Sequence, residues 1–91
     1  MIVMCVYDLF ARTQHIYCLD EHEVQKKHIQ SNLSNMVDFA LSVTKEFGAK
    51  RLVLVGNRGY AENVLLPQID EKSNYAYSRN ELEVVVAGEP R

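Results

Sequence analysis

The chain has 91 residues, 47% of them hydrophobic and 24% charged, and its net charge is −2. This length predicts a single domain, residues 1–91, and the hydrophobic fraction excludes a disordered chain. The ten Lys and Arg residues are scattered along the sequence, which argues against nucleic acid as the partner because nucleic-acid binders concentrate basic residues in a stripe.

The chain opens with an apolar run, IVMCVY at residues 2–7, whose two alternating faces are both apolar. Such a run predicts a central strand that is covered on both sides. Counted from Met1, the apolar opening MIVMCVY ends at Asp8 after seven residues, which is too short for a membrane span or a signal peptide. We therefore expect a cytoplasmic protein with no membrane attachment.

Two cysteines occur near the start of the chain, Cys5 in the first strand and Cys18 in the segment that follows. Both are expected to be reduced, buried thiols on neighbouring strands. The sequence has no Cys-x-x-Cys and no Cys/His spacing typical of zinc sites. No metal or other cofactor is predicted.

The next segments predict a hairpin and a third strand. Residues 8–12 are a short connection, and residues 13–20 form the second strand. Residues 21–30 are mostly polar and predict a turn followed by an edge strand, with a short helix as the alternative. Lys26 and Lys27 would discourage pairing of that edge with another chain.

An amphipathic helix follows, because apolar or tolerant residues recur at helical spacing on one face. These residues are Leu33, Met36, Val37, Ala40, Leu41, Thr44 and Phe47. Ser31 or Asn32 is expected to cap the start of this helix, and Gly48 lies where a left-handed residue commonly ends one.

The second half of the chain predicts two more strands around a second helix. RLVLV at residues 51–55 is a fully apolar strand, and a helix follows from about Tyr60. Pro67 lies too deep for a first-turn proline, so this helix should kink or end early. Residues 73–80 are predicted as a loop, 82–87 as the last strand, and 88–91 as a tail.

The predicted order is therefore β-β-β-α-β-α-β, an α/β domain with a mixed five-stranded sheet. If strand 1 lies beside strand 4, right-handed crossovers give the strand order 3-2-1-4-5 and place both helices on one face. In this order of elements, and in VYDLFARTQHIYCLD at residues 6–20, the chain resembles the RNase H-like group of folds. That group includes resolvase-type nucleases, halves of actin-like nucleotide-binding domains, and non-catalytic relatives in ribosomal proteins and release factors.

Strands 1, 4 and 5 of such a sheet are parallel, and open α/β sheets bind ligands at the carboxyl ends of their strands. This edge predicts the candidate ligand-binding residues Asp8, Arg12, Asn57, Arg58, Gly59 and Glu89.

Two ligand chemistries would use this edge. The resemblance makes Asp8 the metal ligand of a minimal metal-dependent nuclease, but strand 4 ends in Gly56-Asn57-Arg58 where a second acid is expected. Alternatively, the turn from Gly56 to Gly59 could offer backbone amides and a guanidinium to a phosphate, nucleotide or other small anion. The simpler interpretation is a tight turn capped by Asn57, with Asp8 and Arg58 forming a salt bridge.

The third possibility is binding without catalysis. Strands 1, 4 and 5 are apolar on both faces, whereas two helices on one side cover only one face. An uncovered apolar sheet is rare on a soluble monomer. The sequence thus predicts a protein-interaction or regulatory module that forms a homodimer, or part of a larger complex, through a sheet face.

Overall fold

The computed structural model describes residues 1–19, 24–76 and 82–88. Its strands are β1 (Ile2–Asp8), β2 (Thr13–Leu19), β3 (Val24–Asn32), β4 (Arg51–Val55) and β5 (Glu83–Val86). Its helices are α1 (Met36–Glu46), which follows a 3-10 turn at Leu33–Asn35, α2 (Arg58–Tyr60) and α3 (Leu66–Ala76), with a π-helical turn at Ala61–Leu65 between the last two. The prediction of a mixed α/β domain is confirmed.

The most apolar strand lies at the centre of the sheet. β1 pairs antiparallel with β2 on one side and parallel with β4 on the other. β5 lies parallel to β4, and the backbone of β3 lies antiparallel to β2, so the sheet order is β3-β2-β1-β4-β5. The role predicted for the side chains of Lys26 and Lys27 lies outside the described part of the chain.

Helix α1 begins later than predicted. Ser31 and Asn32 do not cap it, because they pair with Gln14 and Thr13 and so belong to the β2–β3 ladder. The chain then makes the 3-10 turn before α1, and the residue at the N-cap, Asn35, makes no side-chain capping hydrogen bond. Long-range strand pairing therefore overrides the local capping signal.

The end of α1 agrees with the prediction. Gly48 has a left-handed φ of 61°. Its N–H donates to the Lys45 carbonyl at 3.2 Å, and the N–H of Ala49 donates to the Thr44 carbonyl at 2.9 Å. This pair of bonds is a Schellman motif, which satisfies carbonyls that the end of a helix leaves free.

The second helical segment continues past Pro67, so of the two predicted alternatives, a kink or an early end, the early end is wrong. It reaches Ala76, and residues 73–76 are helical rather than a loop, while 77–80 lie outside the described residues. The Leu66 N–H donates to the Ala61 carbonyl, five residues back. This wider turn comes directly before the proline, where an α-helix would need the N–H that proline lacks.

One face of the sheet, which we call the covered face, carries both helices. Its core residues are Val3, Cys5, Tyr7, Ile16, Cys18, Leu52 and Leu54, and they cluster with Met36, Val37, Ala40, Leu41, Ala61, Leu65 and Ile69 from the helical segments. Both cysteines lie buried on neighbouring strands and form no disulfide, as predicted.

The opposite face, which we call the open face, carries no helix among the described residues. Its described apolar side chains are Ile2, Met4, Val6, Tyr17, Leu19, Val53, Val55 and Val85. All are half-buried, and none belongs to the core cluster. Among the described residues, no helix combines the length and the apolar character that crossing a membrane requires.

Candidate functional site

The carboxyl ends of β1 and β4 form one edge of the sheet. Val6 lies beside Val55 in the parallel ladder. Asp8 and Asn57 each follow two residues later, so both candidate residues lie at this edge. Glu89, the candidate expected after β5, lies outside the described residues.

Asp8 closes the loop of the first hairpin. Its Oδ1 accepts hydrogen bonds from the backbone N–H groups of Phe10 at 2.9 Å and Ala11 at 3.0 Å. Arg12 completes the loop with a left-handed φ of 56°. The carboxylate of Asp8 therefore acts on its own loop, as aspartates commonly do in turns.

The side chain that organises this edge is Tyr7, which we did not predict as a site residue. Its hydroxyl donates to the carbonyl of Asn57, fifty residues further along the chain. Its ring lies against Gly56, where an added Cβ would be 2.5 Å from Cε2. The sequence signal for this role is a buried aromatic at the end of one parallel strand and a glycine at the end of the next.

Burial also changes the chemistry of Tyr7. Loss of solvent raises the pKa of its hydroxyl to about 12, with smaller contributions from Cys5 and Tyr60. The rings of Tyr7 and Tyr60 are 5.9 Å apart, centre to centre. At neutral pH the hydroxyl is therefore a neutral donor that holds the turn after β4.

Asn57 is a helix cap, as the simpler interpretation predicts. Its Oδ1 accepts from the backbone N–H of Tyr60 at 2.9 Å. Arg58 is exposed and Gly59 is half-buried in the first helical turn. The predicted salt bridge is wrong, since Asp8 and Arg58, both described residues, form no ion pair with each other.

Replacing Asn57 with alanine should lower the free energy of unfolding by about 1 kcal/mol, because the Tyr60 N–H loses its acceptor. Asn57→Asp keeps an acceptor oxygen and serves as the matched control. Urea denaturation of both variants measures the difference. Equal losses of unfolding free energy in Asn57→Ala and Asn57→Asp would show that the capping hydrogen bond contributes nothing to stability.

Phe10 is a second residue that the sequence did not single out. Its side chain is 101% exposed, at the tip of the loop that Asp8 closes. Within the described ranges, no three His, Cys, Asp or Glu side chains group closely enough to hold a metal ion.

The open face is a second candidate surface, and its apolar residues are contiguous. Met4 lies opposite Tyr17 on one side and beside Val53 on the other. Val53 in turn lies beside Val85. These pairs share a face because directly paired residues project to the same side of a sheet.

Polar groups border this apolar surface at the ends of its strands. At one end, Arg51 Nη2 and Glu83 Oε2 form an ion pair at 3.1 Å between exposed side chains. At the other end, His15 lies opposite Val6 and Asp8 lies opposite Thr13. An apolar centre with a polar rim is the usual anatomy of a protein–protein interface.

The chain thus offers two surfaces, an edge whose polar groups hold its own turns and a broad apolar sheet face. Comparison of the sequence and structure with protein-family models, with curated proteins and with solved structures finds no match.

Proposed function

We propose that this chain is a small cytoplasmic interaction module that acts without catalysis and binds another protein through the open face. The proposal rests on the difference in burial between alternate residues of the strands. On β1, Val3 and Cys5 have no exposed surface, whereas their neighbours Met4 and Val6 stay half-buried. Removing apolar surface from water is favourable, which favours a partner that covers this face.

The carboxyl edge supports this choice over a ligand site. The Asp8 carboxylate accepts two bonds from its own loop, and Gly56 gives space to the Tyr7 ring. Turn closure explains the aspartate, and packing explains the glycine. Metal or phosphate binding would need the same two residue types.

We also propose that the domain is RNase H-like. Support comes from its order of elements and its strand order, in which helical connections lead from β3 to β4 and from β4 to β5. A non-catalytic member of that group would keep the sheet and lose the clustered acids. Cys5 and Cys18 are buried and form no disulfide, which fits a reducing compartment.

Site-specific photo-crosslinking tests the interaction surface. A photoreactive amino acid replaces Val53 on the open face, and in a matched variant it replaces Gln68, which is exposed on α3. After illumination of cells that express the full chain, we expect a discrete covalent adduct from position 53. Position 68 should give little or none.

Two results would contradict the proposal. Equal adducts from positions 53 and 68 would show only random collisions. No adduct at position 53, in a variant with the native circular dichroism spectrum, would show that the open face stays in water.

A further inference from the structure

The breadth of the open face limits what can cover it. Five strands of four to nine residues lie side by side. With about 4.8 Å between strands and about 3.3 Å per residue, the face has a footprint of about 500 Å². A single helix is about 10 Å wide with its side chains and would cover fewer than half of the strands. A partner that buries this face must present a surface of similar breadth, and another five-stranded sheet does.

The charge of the face points to the same kind of partner. Among the described side chains, those of β1, β2, β4 and β5, the eight apolar ones that define the face include no ionisable group except the phenol of Tyr17. At the rim, Arg51 Nε donates to Glu83 Oε2 at 3.1 Å, so those two charges offset each other. A second copy would bring no like charges together at the centre. Nucleic acid and anionic membranes instead need unpaired cations on the binding face.

We propose that a second copy of this chain covers the open face, so that two sheets stack in an isologous dimer with the helices on the outside. This inference rests on the proposed function and names its partner. Two footprints of the size given above would bury about 1,000 Å², which reaches the lower limit of specific interfaces. The two inner faces would lie about 10 Å apart, with strand directions within about 30°.

Val53 is the position that tests this arrangement. It lies within the face, with Met4 on one side and Val85 on the other. A charge at this position occurs twice in an isologous dimer, once on each inner face. Both charges would have to leave water without a partner, which is costly.

The experiment is sedimentation and light scattering of the full chain at micromolar concentration. For the wild type we expect twice the 10.4 kDa of one chain. Val53→Glu should halve that mass and keep the native circular dichroism spectrum. Ser42→Glu places the same charge on the exposed side of α1 and should remain dimeric. If Val53→Glu does not fold, Val85→Lys on the neighbouring strand replaces it.

The outcomes separate this inference from the proposed function. A monomeric wild type overturns the second copy, while an adduct with a different protein from position 53 would still support the interaction module. If the wild type is a dimer and neither Val53→Glu nor Val85→Lys lowers its mass in solution, the second copy does not cover this face. If position 53 then also gives no adduct, the interaction module fails with it.

Discussion

Replacing Gly56 with alanine should lower the free energy of unfolding by about 3 kcal/mol, at the upper end of the usual cost of overpacking. The new Cβ would lie 2.5 to 2.7 Å from three atoms of the Tyr7 ring. That ring is 4% exposed and its hydroxyl is bonded to Asn57, so it has little room to move. A small domain is stable by only about 5 to 15 kcal/mol, and urea denaturation should detect the loss easily.

Two further variants assign the cause. Gly48→Ala makes the same chemical change where the new Cβ meets no atom within 4 Å but φ is 61°. It should cost only about 1 kcal/mol, the penalty of a left-handed alanine. In a Tyr7→Val variant, which lacks the ring, Gly56→Ala should lower the free energy of unfolding much less than it does in the wild type. Purely additive effects of the Tyr7 and Gly56 changes would disprove the contact.

The folded chain should also lose stability steeply as the pH rises from 9 to 12. Burial raises the pKa of the Cys5 thiol from 9.0 to about 12, and its Sγ–H donates to Gln14 Oε1 at 3.0 Å. The folded state therefore keeps a proton that the unfolded chain releases above pH 9. The corresponding stability is fully present below pH 9 and is lost as the pH rises to 12.

This loss amounts to about 4 kcal/mol, because each pKa unit corresponds to about 1.4 kcal/mol. Tyr7 acts in the same direction from pH 10 upward, since its pKa is raised from 10.0 to about 12. Denaturation curves in reducing buffer, measured across this range, provide the test. Cys5→Ser keeps a hydrogen-bond donor. In this variant the free energy of unfolding should fall less steeply between pH 9 and 10. An unchanged decline in that variant would exclude Cys5 as its cause.

Several features of the fold could be predicted because they depend on neighbouring residues. The apolar runs around Cys5 and Leu54 predict central strands, since only buried strands are apolar on both faces. Gly48 and Asn57 were placed correctly as the end of one helix and the cap of the next segment, because both roles depend on backbone conformation within a few residues.

Other features could not be predicted because distant parts of the chain decide them. Ser31 and Asn32 have good capping side chains, but pairing with β2 draws them into β3. Pro67 breaks an ordinary α-helix, yet a π-helical turn lets the helical segment continue to Ala76. In the first case long-range strand pairing outweighs a capping preference of about 1 kcal/mol, and in the second a change of helical hydrogen bonding accommodates the proline.

The sequence by itself determined that this chain forms strands apolar on both sides, with too few helical residues to cover both faces. The tertiary structure decided which face is open, because either alternating set of side chains could have met the helices. It also decided the contacts of the turn after β4. The Tyr7 ring packs against Gly56 and its hydroxyl donates to the Asn57 carbonyl, fifty residues away, and the residues of the turn alone do not predict either contact.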